Sequence, residues 1–177
     1  AILEGSAIAV SDGSFKSSFR TFLWIITTPD EHAKLEGVGI VPGEPEFQSA
    51  YRSELCGLLA ILSVLQELVK RYGLGDFTTA HHPHITIACD GESAVKQAAK
   101  TRQDLRMDEK QADLLGTIRA MTRDIPVSIT FRHVDGHQDD HADESELDVW
   151  GRLNVLMDER AKAHWRVTQG TRPQFHR

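Results

Sequence analysis

A chain of 177 residues is long enough to bury one core and short for two ordinary domains, and its 40% hydrophobic and 26% charged residues exclude disorder on composition. The net charge of −6 excludes a generic nucleic-acid binder that relies on a basic surface. No apolar run reaches the length of a membrane span and no basic, then apolar, leader opens the sequence, so the expectation is an intracellular protein without a membrane partner. The chain is expected to form one domain over 1–177, with its core at about 7–166 and a tail at 167–177. It begins with Ala1 rather than Met, which agrees with processing or with a domain cut from a longer polypeptide.

In chain order, Ala7 to Asp12 reads as a strand that ends in the turn Asp12-Gly13-Ser14, with Ile8, Val10 and Asp12 on one face by the period of two. Phe22–Thr27 and Val38–Val41 complete an antiparallel meander, which Pro42, Gly43 and Pro45 stop. Leu55, Leu58, Leu59, Leu62, Leu65, Leu68 and Val69 then recur at the spacing of a helix with a wide buried face. Ser53 is the expected N-cap, and Gly73 and Gly75 lie beyond the end. His84–Asp90 alternates as a short strand that also ends in Asp-Gly. Glu92 to about Lys100 and Glu109–Arg123 follow helical patterns, Val127–Val134 is a last strand, and Leu153–Trp165 is a last helix. The order βββαβααβα points to an α/β layered fold.

Charge is uneven along the chain. Between Asp135 and Asp148 stand seven carboxylates and no Lys or Arg, so most of the acidity belongs to one segment. Cys56 and Cys89 lie inside apolar runs, outside any metal-ligand spacing, and read as reduced core residues. His133, His137 and His141 invite a zinc assignment, but they fall on a strand and a loop rather than on one helix face. His81, His82 and His84 read as a solvated turn.

Two strands that end in Asp-Gly suggest that Asp12 and Asp90 face each other, since α/β sheets present functional side chains at the carboxyl ends of strands. Glu54 sits in the first turn of the Leu-rich helix, where the alternative is a simple complement to the helix dipole. Asp158 follows Met157 on the last helix, with Asp148 and Glu159 as competitors for its role.

Asp12-Gly13-Ser14, Arg52-x-Glu54-Leu55, Asp90 at a strand end, His133-Val134-x-Gly136-His137 and Asn154-x-x-x-Asp158-x-x-Ala161, in that order, resemble type 1 ribonuclease H. The resemblance covers roughly residues 7 to 164. It implies a five-stranded mixed sheet in the order 3-2-1-4-5 flanked by helices, and hydrolysis of the RNA strand of RNA–DNA hybrids to 5′-phosphate and 3′-hydroxyl ends. It further implies that Asp12, Glu54, Asp90 and Asp158 hold two Mg2+ ions, which Mn2+ can replace, with His137 assisting in catalysis. Ser14, Arg52, Ser93 and Asn154 are the expected substrate contacts.

Four features depart from the cellular enzymes of that family. Phe15–Phe19 replaces a glycine-rich turn, which is more similar to retroelement members and implies a fused or associated reverse transcriptase. Ala50 and Tyr51 stand where two asparagines are usual, Thr101–Lys110 mixes charges in place of a basic protrusion, and twenty-one positions separate His137 from Asp158. The alternatives are a transposase- or resolvase-type nuclease, or an inactive hybrid-binding or scaffold module of the same fold.

Overall fold

The alternating runs near the N-terminus form three antiparallel strands: β1 (Ala7–Lys16), β2 (Phe19–Thr27) and β3 (Lys34–Ile40). The structure, a computed structural model, describes residues 1–16, 19–74, 83–106, 108–136, 138 and 143–170. β1 does not stop in a turn at Asp12-Gly13-Ser14. It runs on to Lys16, because β2 supplies a continuous partner, with Asp12 opposite Leu23, Gly13 opposite Phe22 and Ser14 opposite Thr21. β3 begins four residues before Val38, since an edge strand needs no apolar pattern at Lys34 and Glu36 to pair with β2.

The Leu-rich segment is α1 (Ala50–Tyr72). Its cap is Ser49, whose side chain accepts the Arg52 N–H at 3.0 Å, while Ser53 lies inside the helix and donates its hydroxyl to the Ser49 carbonyl. Glu54 therefore falls beyond the first turn, where complementing the helix dipole explains little. Gly73 closes the helix in the left-handed conformation at φ 63°.

After this crossover, β4 (His84–Cys89) lies parallel to β1, and β5 (Ser128–His133) lies parallel to β4. The sheet order is β3-β2-β1-β4-β5. Between and after these strands come α2 (Glu92–Ala98), α3 (Ala112–Asp124) and α4 (Val149–Gly170). α3 starts three residues later than its apolar pattern suggests, because Gln111 takes a left-handed φ of 62° and breaks the helix there. α4 starts four residues earlier than Leu153: the Asp148 carboxylate accepts the Gly151 N–H at 2.8 Å and opens the helix at Val149.

Each face of the sheet carries its own core. Ala7, Ala9, Ile85, Ile87 and Cys89 pack with α1, α2 and α3 through Leu58, Leu62, Val95 and Leu115, whereas Ile8, Val10, Leu23, Ile25 and Ala88 pack with Leu153, Met157 and Ala161 of α4. Burying each of the larger side chains contributes roughly 1.5–3 kcal/mol. Among the described residues no helix is long and apolar enough to cross a membrane.

α1 reaches β1 closely at Gly57, where an added Cβ would stand 2.8 Å from the Ser11 Cβ. An alanine in an exposed helix is about 1 kcal/mol better than glycine. Here the order is reversed, and Gly57→Ala is expected to destabilise by about 1–3 kcal/mol in denaturant unfolding, as overpacked cores do. A gain in stability would mean that the α1–β1 seam is not close-packed.

Candidate metal centre

The parallel pairing of β1 and β4 ends with Ser11 opposite Cys89. Asp12 and Asp90 follow by one position on neighbouring strands. By the period of two they belong to the face of Val10 and Ala88, which α4 covers, while Ser11 and Cys89 belong to the face that α1 covers. Glu54 enters from α1, and glycines make room for it. A Cβ at Gly13 would stand 2.7 Å from Glu54 Oε1, and one at Gly91 would stand 2.7 Å from Glu54 Cγ. A Cβ at Gly136 would stand 2.9 Å from Asp90 Oδ2. The Asp-Gly pairs are therefore more than turn formers: each glycine leaves the volume that a neighbouring carboxylate occupies.

Glu54 is 8% exposed and Asp12 is 7% exposed, while Asp90 is half-buried. Burial pushes the Glu54 carboxyl well above the usual carboxylate range, and the charges of Asp90 and then Asp12 push it further. The Cys89 thiol donates to Glu54 Oε2 at 2.7 Å, accepts the Gly91 N–H at 3.3 Å, and lies 4.0 Å from Asp90 Oδ1. Its own ionisation is pushed up by enclosure, then by the charges of Glu54 and Asp90. Cys89 is thus a free, buried cysteine, as its apolar context suggests, but it also belongs to the acidic cluster. The available signal was its position directly before Asp90, which places it on the opposite face of the strand from that acid and therefore on the side of Glu54.

The donor atoms of Glu54, Cys89 and Asp90 all lie within 4.8 Å of one another. Asp12 is the further acid whose charge Glu54 feels. Asp158 is half-buried on α4 and ion-paired with Lys162 one turn on; it is not among these mutually close donors. Asn154, one turn before Asp158, is buried, with its Oδ1 lacking a hydrogen-bond partner among the described residues. Arg52 is turned inward: its guanidinium donates to the Pro42 carbonyl at 2.8 Å, to Gln111, and to Asp113 at 3.0 Å, and in return holds the Asp113 carboxyl below its usual range. Ser14 is half-buried beyond the end of β4, and Ser93 is exposed in the first turn of α2. His137 and His141 lie outside the described residues. His133, at the end of β5, contacts the Asp90 carbonyl through Nε2 at 3.0 Å, which anchors the backbone beside that acid.

No protein-family model matches the sequence, and no curated protein does. Solved structures do match. LC11-RNase H1, isolated from compost by a metagenomic approach, superimposes with a TM-score of 0.57 at 17% identity over 79% of this chain and 91% of its own. The fold is that of ribonuclease H. A second structure of LC11-RNase H1, in complex with RNA/DNA hybrid, matches with a TM-score of 0.55 at 17% identity over 78% of this chain and 91% of that one.

The donor set suits a divalent cation. Two carboxylates about 4 Å apart repel by roughly 4 kcal/mol at an effective dielectric near 20, and a bound cation reverses the sign of that interaction. In the metal-free protein the raised Glu54 pKa favours its protonated form. Its contribution to stability is then fully present below about 4.5, the ordinary value, and is lost as pH rises through the raised folded value. Glu54→Gln is accordingly expected to be more stable than wild type at neutral pH without metal, with the gain vanishing at pH values below about 4.5. Thermal unfolding across pH measures it, and a gain that persists unchanged in acid would disconnect Glu54 from the effect.

Proposed function

We propose that this protein is a metal-dependent endonuclease that hydrolyses the RNA strand of RNA–DNA hybrids. The observation that carries the proposal is the meeting of Glu54 and Asp90, with Asp12 beside them, at the β1–β4 seam of a ribonuclease H fold. LC11-RNase H1, of the same fold, has been seen with RNA/DNA hybrid, which supports the substrate class.

Asp12, Glu54 and Asp90 would hold two Mg2+ ions, with Asp158 completing the set from α4, and Mn2+ would serve in place of Mg2+. Bound there, such ions would supply activation of a water and stabilisation of the leaving 3′ oxygen. The chain's own residues supply the geometry. Gly13, Gly91 and Gly136 leave the gaps that let the acids converge, His133 steadies the Asp90 backbone, and Asn154, one turn before Asp158, offers an acceptor that is unpartnered among the described residues. His137, on the segment after β5, is the candidate for assisting proton transfer. Arg52 acts on substrate only indirectly in this reading, by fixing the start of α1 against Asp113 and thereby the position of Glu54 two residues on. The net charge of −6 implies modest hybrid affinity, which a fused or associated reverse transcriptase domain would raise. A reverse-transcribing element is accordingly the proposed context, and an intracellular location follows from that chemistry.

The test is a cleavage assay on labelled RNA–DNA hybrid, duplex RNA and duplex DNA with Mg2+, Mn2+ or EDTA. Cleavage of only the RNA strand of hybrid, dependent on cation, is the expected result. Asp12→Asn and Asp90→Asn are expected to abolish it while the proteins remain folded, because each removes a ligand without removing volume. His137→Ala is expected to slow turnover by about a hundredfold, the scale of a positioned proton-transfer group. Hybrid cleavage retained in Asp12→Asn or Asp90→Asn would refute the site.

A further inference from the structure

The segment that leaves β5 touches two of the elements that carry acids. The Gly136 backbone lies against Asp90: a Cβ added there would stand 2.9 Å from Asp90 Oδ2 and 3.5 Å from Asp90 Cβ. Two residues on, the Gln138 amide reaches the first turn of α4, where a Cβ on Gly151 would stand 2.7 Å from Gln138 Oε1 and 3.2 Å from its Cδ. The same amide donates through Nε2 to the Asp135 carbonyl at 2.7 Å, directly before Gly136. Gln138 is thus braced between the backbone that abuts Asp90 and a buried glycine of α4.

Helical geometry decides what α4 presents on that side. Gly151, Asn154 and Asp158 are spaced by three and then four residues and form one stripe of the helix. Asn154 is buried with its Oδ1 unpartnered among the described residues, and Asp158 lies one turn further, so the stripe that Gln138 meets at its start is the one that carries the α4 acid. The first turn is fixed from other directions as well. The Asp148 carboxylate accepts the Gly151 N–H, and Arg132 of β5 lies 3.7 Å from Asp148 and 4.9 Å from the centre of the Trp150 ring. α4 therefore has a firm start against which an amide can brace.

We propose that Gln138 is a positioning residue that couples the first turn of α4 to the Asp90 carboxylate, and so sets the reach between the acid that follows β4 and Asp158. Gly151 is the other half of the coupling. Within a helix a glycine is ordinarily a weakness beside alanine, whereas here its missing side chain is the space that the amide occupies. The inference rests on the proposed role of Asp90 and Asp158 as cation ligands, and not on nuclease activity.

The test is a calorimetric titration of the whole chain with Mn2+, in which Asp90→Asn is expected to remove the binding. Gln138→Ala is expected to weaken Mn2+ binding about tenfold, the scale of an outer residue that orients a metal ligand. Gly151→Ala is expected to do the same, yet to unfold in denaturant with EDTA no more easily than wild type, because the new Cβ displaces only the end of a flexible side chain and alanine favours the helix. Lost affinity without lost stability separates positioning from a weakened fold. In the double variant the Cβ meets no amide, and affinity is expected to equal that of Gln138→Ala alone. Unchanged Mn2+ affinity in Gln138→Ala, or losses in the two single variants that add in full, overturns the coupling, as does Mn2+ binding that Asp90→Asn leaves intact. If Gly151→Ala folds poorly, Gln138→Ala decides alone. These affinities in a chain that never cleaves hybrid support the coupling while refuting the nuclease proposal, and cleavage with unchanged Mn2+ affinity in Gln138→Ala does the reverse.

Discussion

Everything at the centre of this protein depends on placing a carboxylate where it is buried and already faces the charges of two other acids. Glu54 is sealed against Gly13 and Gly91, with Asp12 and Asp90 at hand and a thiol as its hydrogen-bond donor. That arrangement is unfavourable for a folded chain by itself and favourable for one that carries cations. The cores on the two faces of the sheet supply the stability that allows it, and the closeness of α1 to β1 at Gly57 and Gly13 brings the acid into position.

Arg52 shows how position is enforced from outside the cluster. Two residues before Glu54, it ties the start of α1 to Pro42, on the connection from β3, and to Asp113 at the start of α3. Its guanidinium is almost entirely enclosed, so its donors serve the protein first. A charged residue next to a candidate active site is readily assigned to substrate. Here the geometry assigns it to the frame that orients the helix.

The existence of each helix was legible in the sequence, since apolar periodicity reports which face is buried, whereas the sheet order came only with the family resemblance. The boundaries were less legible. β1 extends past its apolar run because pairing with β2, not burial, holds Gly13 and Ser14 in the strand. The cap of α1 moved from Ser53 to Ser49 because two serines four residues apart offer the same chemistry, and only the path from Pro45–Phe47 into the helix selects between them. Asp12 and Asp90 were legible as a pair through the Asp-Gly step that each begins, and Glu54 joined them through the resemblance. The contact of Cys89 with Glu54 was hidden, because an apolar run gives a cysteine a sufficient reason to be buried. Its contact with Glu54 depends on the side-chain alternation of β4 and on the way α1 crosses it, which no local pattern encodes.

The parallel seam between β1 and β4 has a consequence in time. Asp12, Glu54 and Asp90 come from three separated parts of the chain, and they meet only after α1 has crossed over and β4 has docked beside β1. Such non-local pairing is slow to form, whereas the β1–β2–β3 meander is local in sequence. The mutual repulsion of the acids is therefore felt late in folding, on the native side of the barrier. A cation that relieves it stabilises the finished structure more than the transition state, so it lengthens the lifetime of the folded protein without hastening its formation. Wherever such a cation binds, its availability would govern how long each copy stays folded.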